Sequence, residues 1–255
     1  MPLNKQQFSI EVAGRTLTLE VSDLAKQANA AVLAKYGQTA VLATAVMTKK
    51  DKNSNYLPLL VDYEEKFYAA GKIIGSRFIR REGRPSEEAI LSGRLVDRTI
   101  RPLFDQRIRR EIQVVVTVLA YDEENDPDFV GLTAASAALA ISDIPWSGPV
   151  AGFKIAGFNG TSEINPFIGK LKNNKPDFEA FFAGPKNRIN MIELAGNQEA
   201  EPSVLQDRGR SARNLNRRFD AAAADPDQSR RERAEIHVVR RGRHSGDGMA
   251  CRRQA

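Results

Sequence analysis

A chain of 255 residues with 42% apolar side chains can form one large or two modest domains and fill a core over most of its length. Its formal charge of +6 leans toward an acidic partner. A single cysteine, Cys251, excludes an intramolecular disulfide and, with His237 and His244 as the only histidines, makes a poor metal cluster. No run of about 18 apolar residues occurs, and MPLNKQQFSIEV lacks the charged-then-apolar form of a signal peptide, so the expectation is a soluble, cytoplasmic protein without a membrane segment.

Residues 8 to 22, FSIEVAGRTLTLEVS, alternate apolar and polar around Gly14-Arg15, the pattern of a hairpin. Ala30 to Met47 contains two apolar runs joined at Gly37-Gln38, read as strands buried on both faces. Lys49 to Asn55 reads as a charged loop and Tyr56 to Asp62 as a short strand.

Between Gly71 and Phe104, in GKIIGSRFIRREGRPSEEAILSGRLVDRTIRPLF, stand seven arginines, with Arg107 just beyond. Glycines 71, 75 and 83 punctuate the first part as a loop, in which Phe78 and Ile79 directly precede Arg80 and Arg81, and Arg84 follows. An aromatic ring beside guanidinium groups suits single-stranded nucleic acid, whose phosphates favour positive charge and whose bases favour a flat apolar face. Pro85, the N-cap Ser86 and the acids Glu87 and Glu88 predict a helix from about Ser86 to Thr99. Ile90, Leu91, Leu95 and Val96 give it an apolar stripe, while Arg94, Arg98 and Arg101 recur at spacings of four and three and form a basic face. Alternatively, Asp97 pairs with Arg94 and Arg101 and the face is an ordinary solvated one.

Ile112 to Ala120, IQVVVTVLA, has four valines in nine residues and predicts a strand. The acidic run Tyr121 to Asp128 offers either carboxylates for a hard cation or, more simply, an acidic turn capping a helix over Val130 to Ser142, with Asp128 near its positive end. Ile144-Pro145-Trp146 closes that helix and puts the only tryptophan against the core; Gly148 to Phe158, Glu179 to Ala183 and Asn190 to Leu194 read as strands. Composition breaks near Glu199. Residues 1 to 198 hold 13 lysines and 12 arginines, whereas 199 to 255 hold no lysine and 13 arginines. The expected division is a core domain over 1–198 and a disordered or irregular basic tail over 199–255.

The segment Tyr63 to Phe104, with its glycines, basic loop and REGRPSE run, resembles the first RNase PH-like core of the polynucleotide phosphorylase family, and the similarity extends from about Phe8 to about Asn197. The resemblance implies an α+β fold, a mixed β-sheet packed with helices, and membership of a phosphorolytic 3′-to-5′ exoribonuclease that degrades single-stranded RNA to nucleoside diphosphates. It further implies a loop at the neck of an RNA channel, with Phe78 as the first stacking ring and Arg80 and Arg81 as phosphate contacts; Ile79 departs from the family pattern, replacing a second ring. Family members assemble as homotrimers and use inorganic phosphate as co-substrate with Mg²⁺, both held by a second core. Where that core presents serines at a helix start, this sequence reads Gly131-Leu132-Thr133-Ala134, and the family's catalytic acidic run with its lysine is absent. The chain thus resembles the non-catalytic first core, an RNA-binding and assembly module inactive by itself. The tail resembles neither the linker domain nor the second core that follow in the family. The expectation is that it is translated out of frame; the alternative is a genuine basic arm for RNA.

Overall fold

The computed structural model describes residues 5–22, 25–73 and 83–196 and the backbone of 237–240. The alternating segments form the expected hairpin, β1 (Lys5–Val12) against β2 (Arg15–Ser22) in register Val12↔Arg15. β3 (Ala30–Tyr36), β4 (Thr39–Asp51), β5 (Leu59–Glu65) and β6 (Arg110–Ala120) complete a six-stranded sheet of order β1-β2-β3-β4-β6-β5, antiparallel except where β5 runs parallel to β6. α1 (Glu87–Ile100) packs on β5, and α2 (Pro127–Ile141) packs on β3, β4 and β6. A second sheet, ordered β8-β7-β9-β10 among β7 (Ala151–Phe158), β8 (Thr161–Ile164), β9 (Phe178–Gly184) and β10 (Met191–Gly196), meets the other side of these helices through β7, β9 and β10. A short helix, α3 (Ile168–Asn173), links β8 to β9. β11 (His237–Arg240) pairs parallel with β10, so four residues expected to lie in an irregular tail are a strand; the rest of 199–255 lies outside the described residues.

Apolar burial concentrates where helices meet sheet. Tyr36 packs edge-on against Phe129 of α2, with ring centroids 5.3 Å apart, and its hydroxyl donates to Val12 O at 2.9 Å. α2 is buried nearly throughout, and Gly131 lets it approach the sheet: a Cβ there would stand 2.9 Å from Val116 Cγ1 and 3.2 Å from Tyr63 Cε2. Trp146 packs against Phe104 and donates from Nε1 to Ile100 O at 3.2 Å.

Three expectations shift. β3 is not buried on both faces: Val32, Ala34 and Tyr36 are sealed under α2, while Leu33 is half-buried and Lys35 exposed because no described element covers that side. β4 extends through the segment read as a charged loop as far as Asp51, which opposes Arg110 and pairs with it at 3.6 Å. α2 begins three residues before Val130, because Asp126 is its cap and Pro127 its first residue.

Candidate nucleic-acid interface

α1 starts as its sequence dictates. Ser86 Oγ accepts from Ala89 N at 3.0 Å, caps the helix, and donates to Glu65 Oε2 at 2.8 Å, fastening the helix start to the end of β5. Ala89, Leu95, Val96, Thr99 and Ile100 face the core. Arg94 and Arg98 are exposed on the opposite side and form no ion pair with another described residue. Arg84 is also exposed, just ahead of the cap. Phe78, Ile79, Arg80 and Arg81 lie outside the described residues; the described chain ends at Ile73 on one side of them and resumes at Gly83 on the other.

Arg101 does not belong to the basic face. Its Nε and Nη2 donate to the two Asp97 carboxylate oxygens at 2.9 and 2.6 Å, and Nη2 also reaches Leu59 O at 3.0 Å. Arg101 caps α1 with helical backbone geometry, its N donating to Asp97 O, and its side chain is drawn to Asp97 one turn earlier and to Leu59 O of β5. Arg101 is a strut between α1 and the sheet. Asp97 pairs with Arg101, and no bond joins it to Arg94.

At the start of α2, Asp126 Oδ1 accepts from Asp128 N at 2.9 Å, and the Asp126 carboxylate forms an ion pair with Lys154 of β7. Burial alone would lower the Lys154 ammonium; Asp126 beside it, with Asp128 and Glu179 near, outweighs burial and raises its pKa. Thr133, the one hydroxyl in the segment Gly131 to Ala134, is buried and donates to Phe129 O at 2.9 Å. The helix end is therefore occupied by the chain's own carboxylate.

Two residues take organising roles that their sequence context did not assign, because part of each one's partner set is remote. Asp122 accepts from Gln38 N, Thr39 Oγ1 and Glu124 N, each at 2.9 Å, and from Asn125 N and Nδ2 at 2.8 and 2.5 Å. Burial would raise its carboxyl, yet the hydrogen bonds from Asn125, Glu124 and Gln38 hold it at about 2. It ties the β3–β4 turn to the loop before α2, acting neither as a cation ligand nor as the helix cap. Arg15 lies between the rings of Tyr36 and Phe167, 4.5 and 4.3 Å from their centroids, and donates to Asn125 Oδ1 and Asn165 O. A shallow cleft of about 430 Å³ beside it is lined by Lys5, Lys35, Thr16 and Thr18, among others, on the β1–β3 side of the sheet, away from β5 and the basic segment.

Residues 13–145 match the family described as 3′ exoribonuclease family, domain 1. The chain belongs to that family. Over 206 residues, 81% of the chain, it is 50% identical to a polyribonucleotide nucleotidyltransferase of Exiguobacterium sibiricum and 49% identical to one of Bacillus mycoides. The chain spans 28% of the length of these curated relatives. Among solved structures, it resembles a chain of the Archaeoglobus fulgidus exosome with RNA bound to the active site, at TM-score 0.60 and 12% identity over 88% of this chain and 89% of that one. It also resembles rice (Oryza sativa) Rrp46, at TM-score 0.61 and 15% identity over 80% and 91%. These structural likenesses bear out the α+β fold of mixed sheet and helices. No helix among the described residues is long and apolar enough to cross a membrane.

Proposed function

We propose that this chain is the strand-gripping first core of a longer phosphorolytic 3′-to-5′ exoribonuclease of the cytoplasm. The observation that carries this is the 50% identity over 206 residues to a polyribonucleotide nucleotidyltransferase. In the proposed reaction a phosphate oxygen attacks the phosphorus of the terminal phosphodiester in single-stranded RNA; the 3′ oxygen of the preceding nucleotide leaves, and a nucleoside diphosphate is released. Phe78 and Ile79 contact bases, and Arg80, Arg81 and Arg84 contact phosphates, with Arg94 and Arg98 continuing the track on α1. The intact protein works as a homotrimer. Residues 1–198 form the core and 199–255 an Arg-rich extension, of which His237–Arg240 adds a strand beside β10.

Turnover resides elsewhere in the longer protein. An inorganic phosphate held at the start of α2 would compete with the Asp126 carboxylate for the amide of Asp128 and with Phe129 O for the Thr133 hydroxyl. Magnesium, which would neutralise developing charge, does not fit the described carboxylates either: Asp122 is occupied by five hydrogen bonds and Asp126 by Lys154. Incubating the chain with oligoadenylate, phosphate and Mg²⁺ tests the assignment. Binding without release of ADP is expected; ADP release would place catalysis in this core.

A further inference from the structure

Directly before the basic segment, a 3₁₀ turn, Phe67–Ala70, exposes its large side chains and faces its small one inward. Phe67 is 41% exposed and Tyr68 55%, while Ala69 packs against the core. The turn is firmly held. Gly71, at φ 66°, a backbone conformation side chains resist, donates from N to Tyr68 O at 3.0 Å; Lys72 N donates to Phe67 O at 3.1 Å; and Tyr121 N of the neighbouring strand end donates to Ala69 O at 2.9 Å. Ile73, at 81% exposure, extends the apolar surface to the point where the described chain ends. The chain resumes at Gly83, three residues before Ser86, whose hydroxyl is bonded to Glu65, two residues from Phe67. Both ends of the basic segment thus spring from beside these rings.

Two exposed rings on a firmly held turn are apolar surface left open to a partner. Its chemistry selects bases over phosphates: the flanking lysines are paired, Lys66 with Glu64 at 3.0 Å and Lys72 with Glu123 at 4.0 Å, so the turn offers flat rings with little net charge. Positive charge follows it in the chain instead, at Arg77, Arg80 and Arg81, which lie outside the described residues, and at exposed Arg84. We propose that Phe67 and Tyr68 form a stacking ledge for unpaired nucleobases, extending the RNA track beyond the basic segment; this rests on the function proposed above.

Fluorescence anisotropy of labelled oligoadenylate with the full 255-residue chain tests the ledge. Phe67→Ala and Tyr68→Ala should each weaken binding roughly 5- to 150-fold, the range of one lost base stack, and Tyr68→Phe should restore it. Because stacking releases no counterions, the ring variants should keep the wild-type salt slope, whereas Arg80→Ala and Arg81→Ala should each flatten it by roughly one. An abasic strand should bind the ring variants and the wild type equally. Ring variants with wild-type affinity, beside weakened arginine variants, overturn the ledge and leave the proposed function standing; arginine variants with wild-type affinity remove the function it rests on. Ring variants that change only the sedimenting mass would make the surface a protein contact and likewise overturn the ledge.

Discussion

Replacing Asp122 with alanine should destabilise the chain by about 3 kcal/mol at neutral pH. Of the five hydrogen bonds that the carboxylate accepts, water can replace those from Gln38 N and Glu124 N. Those from Thr39 Oγ1, whose residue is fully buried, and from Asn125, 2% exposed, lose their acceptor out of reach of solvent. Buried donors deprived of a partner cost about 1–3 kcal/mol each and are not additive, which gives the total. Part of the effect titrates. With the folded carboxyl at about 2 against 3.8 in a free side chain, folding favours the ionised form. That stabilisation is complete above the free value and is lost as pH falls toward 2. For a buried group a shift of that size would be worth about 2 kcal/mol; Asp122 is only partly shielded, and screening reduces this to about 1 kcal/mol. Urea unfolding followed by circular dichroism should therefore find the gap between wild type and Asp122→Ala smaller at pH 3 than at pH 6. A gap equal at both values, or below about 1 kcal/mol at pH 6, would refute the reasoning.

Other substitutions separate structural from recognition roles. Ser86→Ala removes the α1 cap and the bond to Glu65 and should cost about 1 kcal/mol in chemical denaturation. Arg101→Ala breaks the strut to Asp97 and Leu59 O, so thermal unfolding should shift downward while oligoadenylate affinity and its salt slope stay constant. Arg94→Ala with Arg98→Ala should do the reverse, leaving the unfolding midpoint unchanged and flattening the salt dependence of RNA binding by roughly two. Gly131→Ala places a methyl 2.9 Å from Val116 Cγ1 between two packed elements and should destabilise by about 1–3 kcal/mol, measured by calorimetry.

What the sequence made legible was local. The hairpin, β6 and α1 follow from alternation, valine density and a serine cap followed by two acids, signals contained within a dozen residues. The misreadings arise where a residue's environment is remote. Lys49 to Asp51 look like loop until β6 places Arg110 opposite Asp51. Arg101 shares a spacing with Arg94 and Arg98, but Asp97 one turn earlier and Leu59 O from a strand 42 positions earlier decide its role. Arg15 reads only as a hairpin-turn residue and Asp122 only as one member of an acidic run, because Asn125 for Arg15 and Gln38 for Asp122 stand 110 and 84 positions away in the chain. The basic segment's residues Phe78 to Arg81 were legible from an aromatic ring beside guanidinium groups as well as from family resemblance and lie outside the described residues, while Phe67 and Tyr68 in the same signature become notable only once their exposure is known.

The start of α2 is neutralised from within the chain. A helix end attracts an anion because its first amides lack partners and its dipole is positive there. Here Asp126 supplies the negative charge from within the chain, bonding Asp128 N, and Lys154 from the second sheet neutralises that carboxylate in turn. On the function proposed above, this exchange of an external anion for an internal one turns the helix start into a seam that joins α2 to β7. Asp126→Ala would test the trade, since it removes the internal anion but also strands Lys154: free phosphate should then stabilise the variant, in a concentration-dependent way, and leave the wild type unchanged in thermal unfolding.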